Sequence, residues 1–373
     1  MALKRRDLIR SGALAAAGLG LAGATAIMAS DRPKRILILG GTGFIGPNTV
    51  RYAVERGHQV TIFTRGRRET DLPASVERLV GDRNDDHTAL EGREWDAVLD
   101  NNCYDYRWAQ KSTALLKDAT DHYLFVSSLS SYDMPPPEEI DAAQPVTTAL
   151  PLDAPTVPVP ESFTDGDEAD YALMKVLSEQ IVQAAFPGRH TIVRPTLIVG
   201  PGDNSGRWSY WPVRMHRGGD VLAPGNPGHS TQIIDQRDLS EWHIRLVEQG
   251  QMGVFNGAGP AEYLTMESML TQVRDGVGSS STMTWVPEDF LSAQNVQPRY
   301  DMPAWVPGYH MMYVDIAASL AAGLTFRPIG LTARDTLAFE QARPEDDSRA
   351  RPFPFTAERE RAVLEAWAAK NAA

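Results

Sequence analysis

Tyr171 and Lys175 stand four residues apart in Tyr-Ala-Leu-Met-Lys, and on a helix that spacing puts both on one face. An ammonium beside a phenol favours the phenolate, drawing tyrosine from its ordinary value of about 10 towards the range of a working general acid and base. Such a pair needs a hydroxyl to hold the reacting oxygen. Ser127, Ser128, Ser130 and Ser131 supply candidates, at the end of an apolar stretch (122–127) that reads as a strand. Ligands of open α/β sheets collect at the C-terminal ends of strands, which is where these serines fall. An amphipathic surface pair is the plainer alternative for Tyr171 and Lys175.

The element that must carry a cofactor lies earlier. Arg35–Leu39 is a short apolar run stopped by glycine, as a buried parallel strand is. From Phe44 the apolar spacing becomes helical and ends at Gly57. Between them Gly41, Gly43 and Gly46 match G-x-G-x-x-G in the strand–turn–helix context that the dinucleotide fingerprint requires. The glycines serve a tight turn, close approach to a pyrophosphate and close helix–strand packing, and the helix N-terminus offers free N–H groups to phosphate.

Further strands are expected at Gln59–Thr64, 76–80, 95–99, 122–127 and 190–199, with helices at 108–119 and 168–186. Alternation at this spacing predicts an α/β fold, a doubly wound parallel sheet of Rossmann type. Residues 134–160 carry eight prolines and read as a long surface loop. The expected division is a dinucleotide-binding domain over 30–200, a smaller substrate-binding part over 201–345, and a tail helix over 346–373 with Phe353 and Phe355 as docking points. Within the second part, a strand and helix over 231–249 are expected to return to the first domain, whereas 254–256 and a helix over 266–273 belong to the second. No internal repeat is present.

A glycine-rich turn, a serine after an apolar strand and Tyr-x-x-x-Lys, in this order, resemble the extended short-chain dehydrogenase/reductase superfamily, and most closely its NAD-dependent epimerase/dehydratase branch. The likeness runs from about Arg35 to Gly259 and includes Arg194-Pro195 and Val199-Gly200-Pro201-Gly202-Asp203. It implies Tyr171 as acid/base, Lys175 as the residue that holds the nicotinamide ribose and tunes the tyrosine, and Ser128, four residues before Tyr132, as the catalytic serine. The cofactor contacts it implies are Gly40, Thr42, Gly43, Phe44, Ile45, Gly46, Lys175 and Pro195, with Asp82 at the adenine, a strand-end cap being the alternative for Asp82. The second strand ends Phe63-Thr64-Arg65, without the acidic residue that grips a ribose 2′-hydroxyl. Arg65, supported by Arg67 or Arg68, suits a 2′-phosphate and favours NADP over NAD, a solvated basic turn being the alternative. Two features depart from the pattern: the long proline-rich interval between Ser128 and Tyr171, and an export signal.

That signal is read in residues 1–29: Lys4-Arg5-Arg6-Asp7, an Ala/Gly/Leu-rich stretch, then Ala24-Thr25-Ala26. The order is that of a secretory leader, and the paired arginines resemble the twin-arginine signal, which implies that export machinery as a partner and a periplasmic or envelope location. An uncleaved membrane anchor is the alternative. The whole chain of 373 residues has a net charge of −12 and one cysteine, Cys103, which disfavours nucleic acid as a partner and excludes an internal disulfide. Trp208, Tyr210 and Trp211 suit either sugar stacking or a core, Cys103 reads as a small buried residue, and His58, His122 and His243 lack the arrangement of a metal site. The expected function is therefore an NAD(P)-dependent epimerase or dehydratase acting on a hydroxylated, sugar-like or nucleotide-sugar-like small molecule, and a homodimer is compatible with it. The alternatives are an NADPH-dependent reductase of a small carbonyl compound and a non-catalytic RNA-binding relative, since Gly40 to Arg65 also resembles chloroplast stem-loop-binding proteins.

Overall fold

The computed structural model describes residues 32–101, 103–134, 147–164, 166–307, 313–344, 347, 352–353 and 355–372. The expected leader over 1–29, with Arg5 and Arg6, lies outside these residues, as does 135–146 of the proline-rich stretch. Among the described residues no helix is long and apolar enough to cross a membrane.

Seven parallel strands form the main sheet: β1 (Arg35–Leu39), β2 (Gln59–Thr64), β3 (Glu77–Val80), β4 (Ala97–Asp100), β5 (Tyr123–Val126), β6 (His190–Pro195) and β10 (Gly253–Gly257), in the order β10-β6-β5-β4-β1-β2-β3. Alternate side chains of each strand feed two cores. Ile36, Ile38, Ala97, Leu99 and Leu124 face α1 (Gly46–Glu55) and α5 (Gln236–Gln249). Leu37, Leu39, Val98 and Phe125 face α2 (Tyr106–Leu116) and α3 (Tyr171–Ala185). Ile36 to Leu39 are fully buried, which is why the run is continuously apolar rather than alternating. The expected doubly wound sheet is present.

The stretch 190–199 is two strands rather than one. Pro195 has no N–H with which to extend the ladder, and beyond Thr196 the chain leaves the sheet as β7 (Leu197–Val199), which pairs with β9 (Ile233–Asp235). So within 231–249 the helix α5 packs on α1, whereas the strand joins β7 outside the main sheet. The stretch at 254–256 also differs from expectation, because as β10 it completes the main sheet beside β6. Gly257 allows it: a Cβ there would lie 3.1 Å from Val193 and 3.3 Å from the Pro195 backbone.

The second part gathers α4 (Tyr210–His216), β8 (Asp220–Pro224), α6 (Met266–Gly276), β11 (Thr282–Val286), α7 (Glu288–Ala293), α9 (Ile329–Ala342) and α10 (Ala357–Ala372) around its own core. The short α8 (Ala317–Ala321) packs on β10. Phe355 is buried in the second core and Phe353 packs against it, and a buried Arg214–Glu360 ion pair ties α10 to α4.

Candidate active site

Where the strands β1, β2, β4, β5 and β6 end, a cleft of about 660 Å³ opens between the sheet and the second part. The glycine turn forms its floor. Gly40 and Gly41 have φ of 109° and 95°, a backbone that residues with a Cβ rarely adopt. A Cβ on Gly46 would come within 2.6 Å of the Gly41 backbone, so this glycine lets the helix sit on the turn. At Gly43 a Cβ would meet nothing within 4 Å, so the space beside it belongs to the cleft. No side chain caps α1, whose N-cap is Ile45 and whose first turn holds no acidic residue. Pro47, the second residue of α1, has no N–H, so the N–H groups of Gly46 and Asn48 flank it at the cleft end of the helix, with the positive end of its dipole.

Asp170 caps α3 by accepting from the Leu173 N–H at 2.8 Å, which starts the helix at Tyr171 rather than near residue 168. Tyr171 therefore stands at the open end of the helix, 45% exposed in the cleft. One turn on, Lys175 is only 4% exposed. Its Nζ donates to the carbonyls of Cys103 at 2.9 Å and Val126 at 3.1 Å. It lies 5.7 Å from the ring centre of Tyr171, 5.3 Å from that of Phe125 and 5.7 Å from that of Tyr104. Burial pushes its ammonium below the ordinary lysine value.

The four serines separate by burial. Ser127 is buried and donates to Glu179 at 2.5 Å, and Glu179 is held in turn by Arg194. Ser131 is buried and donates to the Ser128 carbonyl. Ser128 faces the cleft and caps a short 3-10 turn by accepting from the Ser130 N–H at 3.1 Å. Accepting there leaves its own O–H free to donate. Ser130 also lines the cleft.

At the opposite end lie Thr42, Phe44, Arg65, Arg67, Arg68 and Asp82. Asp82 accepts from the Asn84 backbone N–H, which lowers its pKa. Arg65, Arg67 and Arg68 are exposed, and none is in an ion pair among the described residues. Pro195 lines the centre.

Trp208, Tyr210 and Trp211 lie in the core of the second part, away from the cleft. Cys103 is buried, and burial raises its thiol pKa. His58 bonds Glu248 and His122 bonds Thr191, and among the described residues no three metal-ligating side chains gather.

The structure adds residues that sequence reasoning missed. Tyr104 follows β4 at the cleft edge, a signal present in the sequence because ligands favour strand C-termini. Asn101 lines the cleft, and both polar atoms of its side chain are buried without a hydrogen-bond partner among the described residues. Arg207 and Arg299 reach the cleft from the second part, and no local signal marks either. The orphaned Asn101 amide, the open space at Gly43 and the uncapped α1 fit a bound dinucleotide. The Gly43 side of the cleft would hold its pyrophosphate and Lys175 its second ribose.

The fold is that of a Rossmann-type α/β protein, with Tyr171, Lys175 and Ser128 lining the cleft that its glycine turn opens into. Residues 36–106 match the sequence model of the NAD dependent epimerase/dehydratase family. The chain is 27% identical over 270 residues to the chloroplast stem-loop binding protein of 41 kDa b from Arabidopsis thaliana, an alignment spanning 66% of this chain and 64% of that protein. It is 32% identical over 179 residues to a 2-alkyl-3-oxoalkanoate reductase from Stenotrophomonas maltophilia, across 45% of this chain and 52% of the relative. It thus spans less than two thirds of either relative. Among solved structures, a UDP-glucuronic acid 4-epimerase from Bacillus cereus in complex with NAD superposes with a TM-score of 0.58 at 14% identity, covering 85% of this chain and all of that one. At that identity the likeness is one of fold.

Proposed function

We propose that the cleft binds a nicotinamide dinucleotide, NADP in preference to NAD, and catalyses epimerase- or dehydratase-type chemistry on a hydroxylated, anionic small molecule of sugar or nucleotide-sugar kind. The observation that carries this reading is the convergence of Tyr171, Lys175 and Ser128 on the cleft that the glycine turn opens into. The dinucleotide supplies hydride acceptance and return. Tyr171 Oη takes the proton of the reacting hydroxyl, and Ser128 Oγ donates a hydrogen bond to the same oxygen. The Lys175 ammonium stabilises the charge on the phenolate and holds the nearby ribose. Arg207 and Arg299 favour a phosphate or carboxylate on the substrate. The unpaired Arg65, Arg67 and Arg68 favour the extra phosphate of NADP.

The leader pattern of residues 1–29 supports an exported protein, delivered folded by twin-arginine machinery. Free nicotinamide nucleotides are scarce outside the cytosol, so a cofactor loaded before export and restored in each cycle fits best. Carbonyl reduction is the second reading, favoured by the three free arginines and by the reductase relative. The net charge of −12 opposes RNA binding, which rests on neutralising phosphates.

Turnover of candidate substrates by protein purified with its bound nucleotide tests the proposal. Many turnovers without added nucleotide support the epimerase or dehydratase reading, and one NADPH consumed per product supports reduction. Tyr171→Phe should keep nucleotide affinity and lose about 10²- to 10⁴-fold in turnover. Full activity in that variant would remove the acid–base assignment.

A further inference from the structure

Lys175 is a buried cation. Among the described residues no carboxylate bonds it, and two of its three N–H bonds go to main-chain carbonyls. Aromatic rings lie around it, Phe125 and Tyr171 on two sides and Tyr104 on a third, and the buried Asp100 carboxylate is near enough to favour its charge without bonding it. Phe125 is wholly buried. Tyr104 is not: it is 62% exposed, although it lies within 5.7 Å of an ammonium that water barely reaches. Its ring centre stands 6.5 Å from that of Tyr171, so the two phenols flank the entrance to the lysine.

A large aromatic ring left open to solvent at a cleft wall offers apolar surface for a ligand to cover. Cation–π contact also stabilises the ammonium most where it is desolvated. The backbone ties the two roles together, because the Cys103 carbonyl that accepts from Lys175 belongs to the peptide unit that leads into Tyr104. A backbone shift at Tyr104 therefore moves one of the lysine's acceptors.

We propose that Tyr104 is a positioning residue for Lys175: its ring is the outer wall of the lysine's cage, holds the third N–H pointed into the cleft, and is itself covered when the nicotinamide riboside end of the cofactor binds. This rests on the reading of the cleft as a dinucleotide site. The ring face does the work and the hydroxyl does not, so Phe should replace Tyr104 and a small aliphatic residue should not.

The test uses the full chain and three measurements. NADPH titration should give Tyr104→Phe an affinity within about twofold of the wild type and Tyr104→Ala a loss of about 3- to 30-fold, the range of one desolvated cation–π contact. Reductive methylation followed by peptide mass spectrometry should modify Lys175 slowly in the nucleotide-free wild type and in Tyr104→Phe, and at least several-fold faster in Tyr104→Ala. Nitration of Tyr104 by tetranitromethane should be suppressed by saturating NADPH, while nitration of the exposed Tyr300 is unchanged. If NADPH binds the wild type but neither its affinity nor Lys175 modification changes in Tyr104→Ala, the inference fails and the dinucleotide site stands. Equal losses in Tyr104→Phe and Tyr104→Ala would transfer the role to the hydroxyl and overturn the cage. Absence of any NADPH or NADH binding to folded wild type would overturn the dinucleotide site and this inference with it.

Discussion

Gly43→Val separates binding from folding at a single position. A Cβ at Gly43 meets no protein atom within 4 Å, and its backbone is not left-handed. The substitution therefore neither clashes nor strains, and a side chain there reduces the freedom of the unfolded chain, an effect of about 0.4–1 kcal/mol for glycine to alanine at a compatible site. The melting temperature should stay within about 3 °C of the wild type. The isopropyl group would instead fill the space that a pyrophosphate must enter to reach the first N–H groups of α1. Hydrogen bonds to a charged group contribute about 1.5–3 kcal/mol each. Losing two of them costs about 3–6 kcal/mol, or about 10²- to 10⁴-fold in affinity at 1.4 kcal/mol per decade. Calorimetric titration with NADPH and NADH measures this directly. Gly46→Ala is the contrasting control, since its Cβ would press on the Gly41 backbone at 2.5 Å and should destabilise the fold itself. A folded Gly43→Val protein that binds nucleotide as well as the wild type would refute the placement of the pyrophosphate.

Arg65→Ala should weaken NADP at least tenfold more than NAD, because only NADP brings a 2′-phosphate to the guanidinium; equal losses in parallel titrations would make Arg65 a solvated turn residue. His243 is fully buried, with neither ring nitrogen partnered among the described residues, and burial pushes its pKa down to about 3. The unfolded chain takes up this proton near pH 6.5 and the folded one only near 3, so stability should fall as pH drops through that window, by about 2 kcal/mol at pH 5 from this residue. Urea unfolding at pH 7 and pH 5 should show that slope, and His243→Leu should remove about half of it, leaving a comparable share from His122, whose pKa burial also lowers, to about 4. Finally, Arg5→Lys with Arg6→Lys should leave folded protein in the cytosol on cell fractionation; normal export would reassign the leader to the general secretory route or an anchor.

What the sequence disclosed was local. Arg35–Leu39, the glycines and α1 are adjacent in the chain, and both their apolar pattern and their backbone needs are written in neighbouring residues. Tyr171 and Lys175 share one helix, so their spacing alone put them together. Ser128 was separable from Ser127 and Ser131 only by burial, which depends on Glu179, 52 residues from Ser127. Tyr104 and Asn101 were visible as loop residues, but nothing local reports that one walls a lysine and the other keeps an unpartnered amide. Arg299 enters the cleft from a left-handed backbone position, φ 65°, on a turn whose partners lie far along the chain. β10 escaped because a strand recognised by three residues has no side, and only its pairing with β6 gives it one.

The late arrival of β10 shapes how the molecule can be made. Between β6 and β10 the chain leaves the sheet, builds part of the second core, and returns with α5 before its last strand is laid down. A nascent chain ending near residue 200 has six strands, lacks α5 to cover the α1 face, and leaves β6 as an open edge with its main-chain groups unpaired. Such an edge invites pairing with another chain. Closure of the sheet waits for residue 257, and sealing of the second core waits for α10 at the very end, so both cores are completed by distant segments and folding is dominated by long-range contacts. Synthesis and folding are thus forced into sequence: the cleft acquires its far wall only once residues 299–306 have emerged, and a product truncated before residue 257 has neither a finished binding site nor a protected sheet.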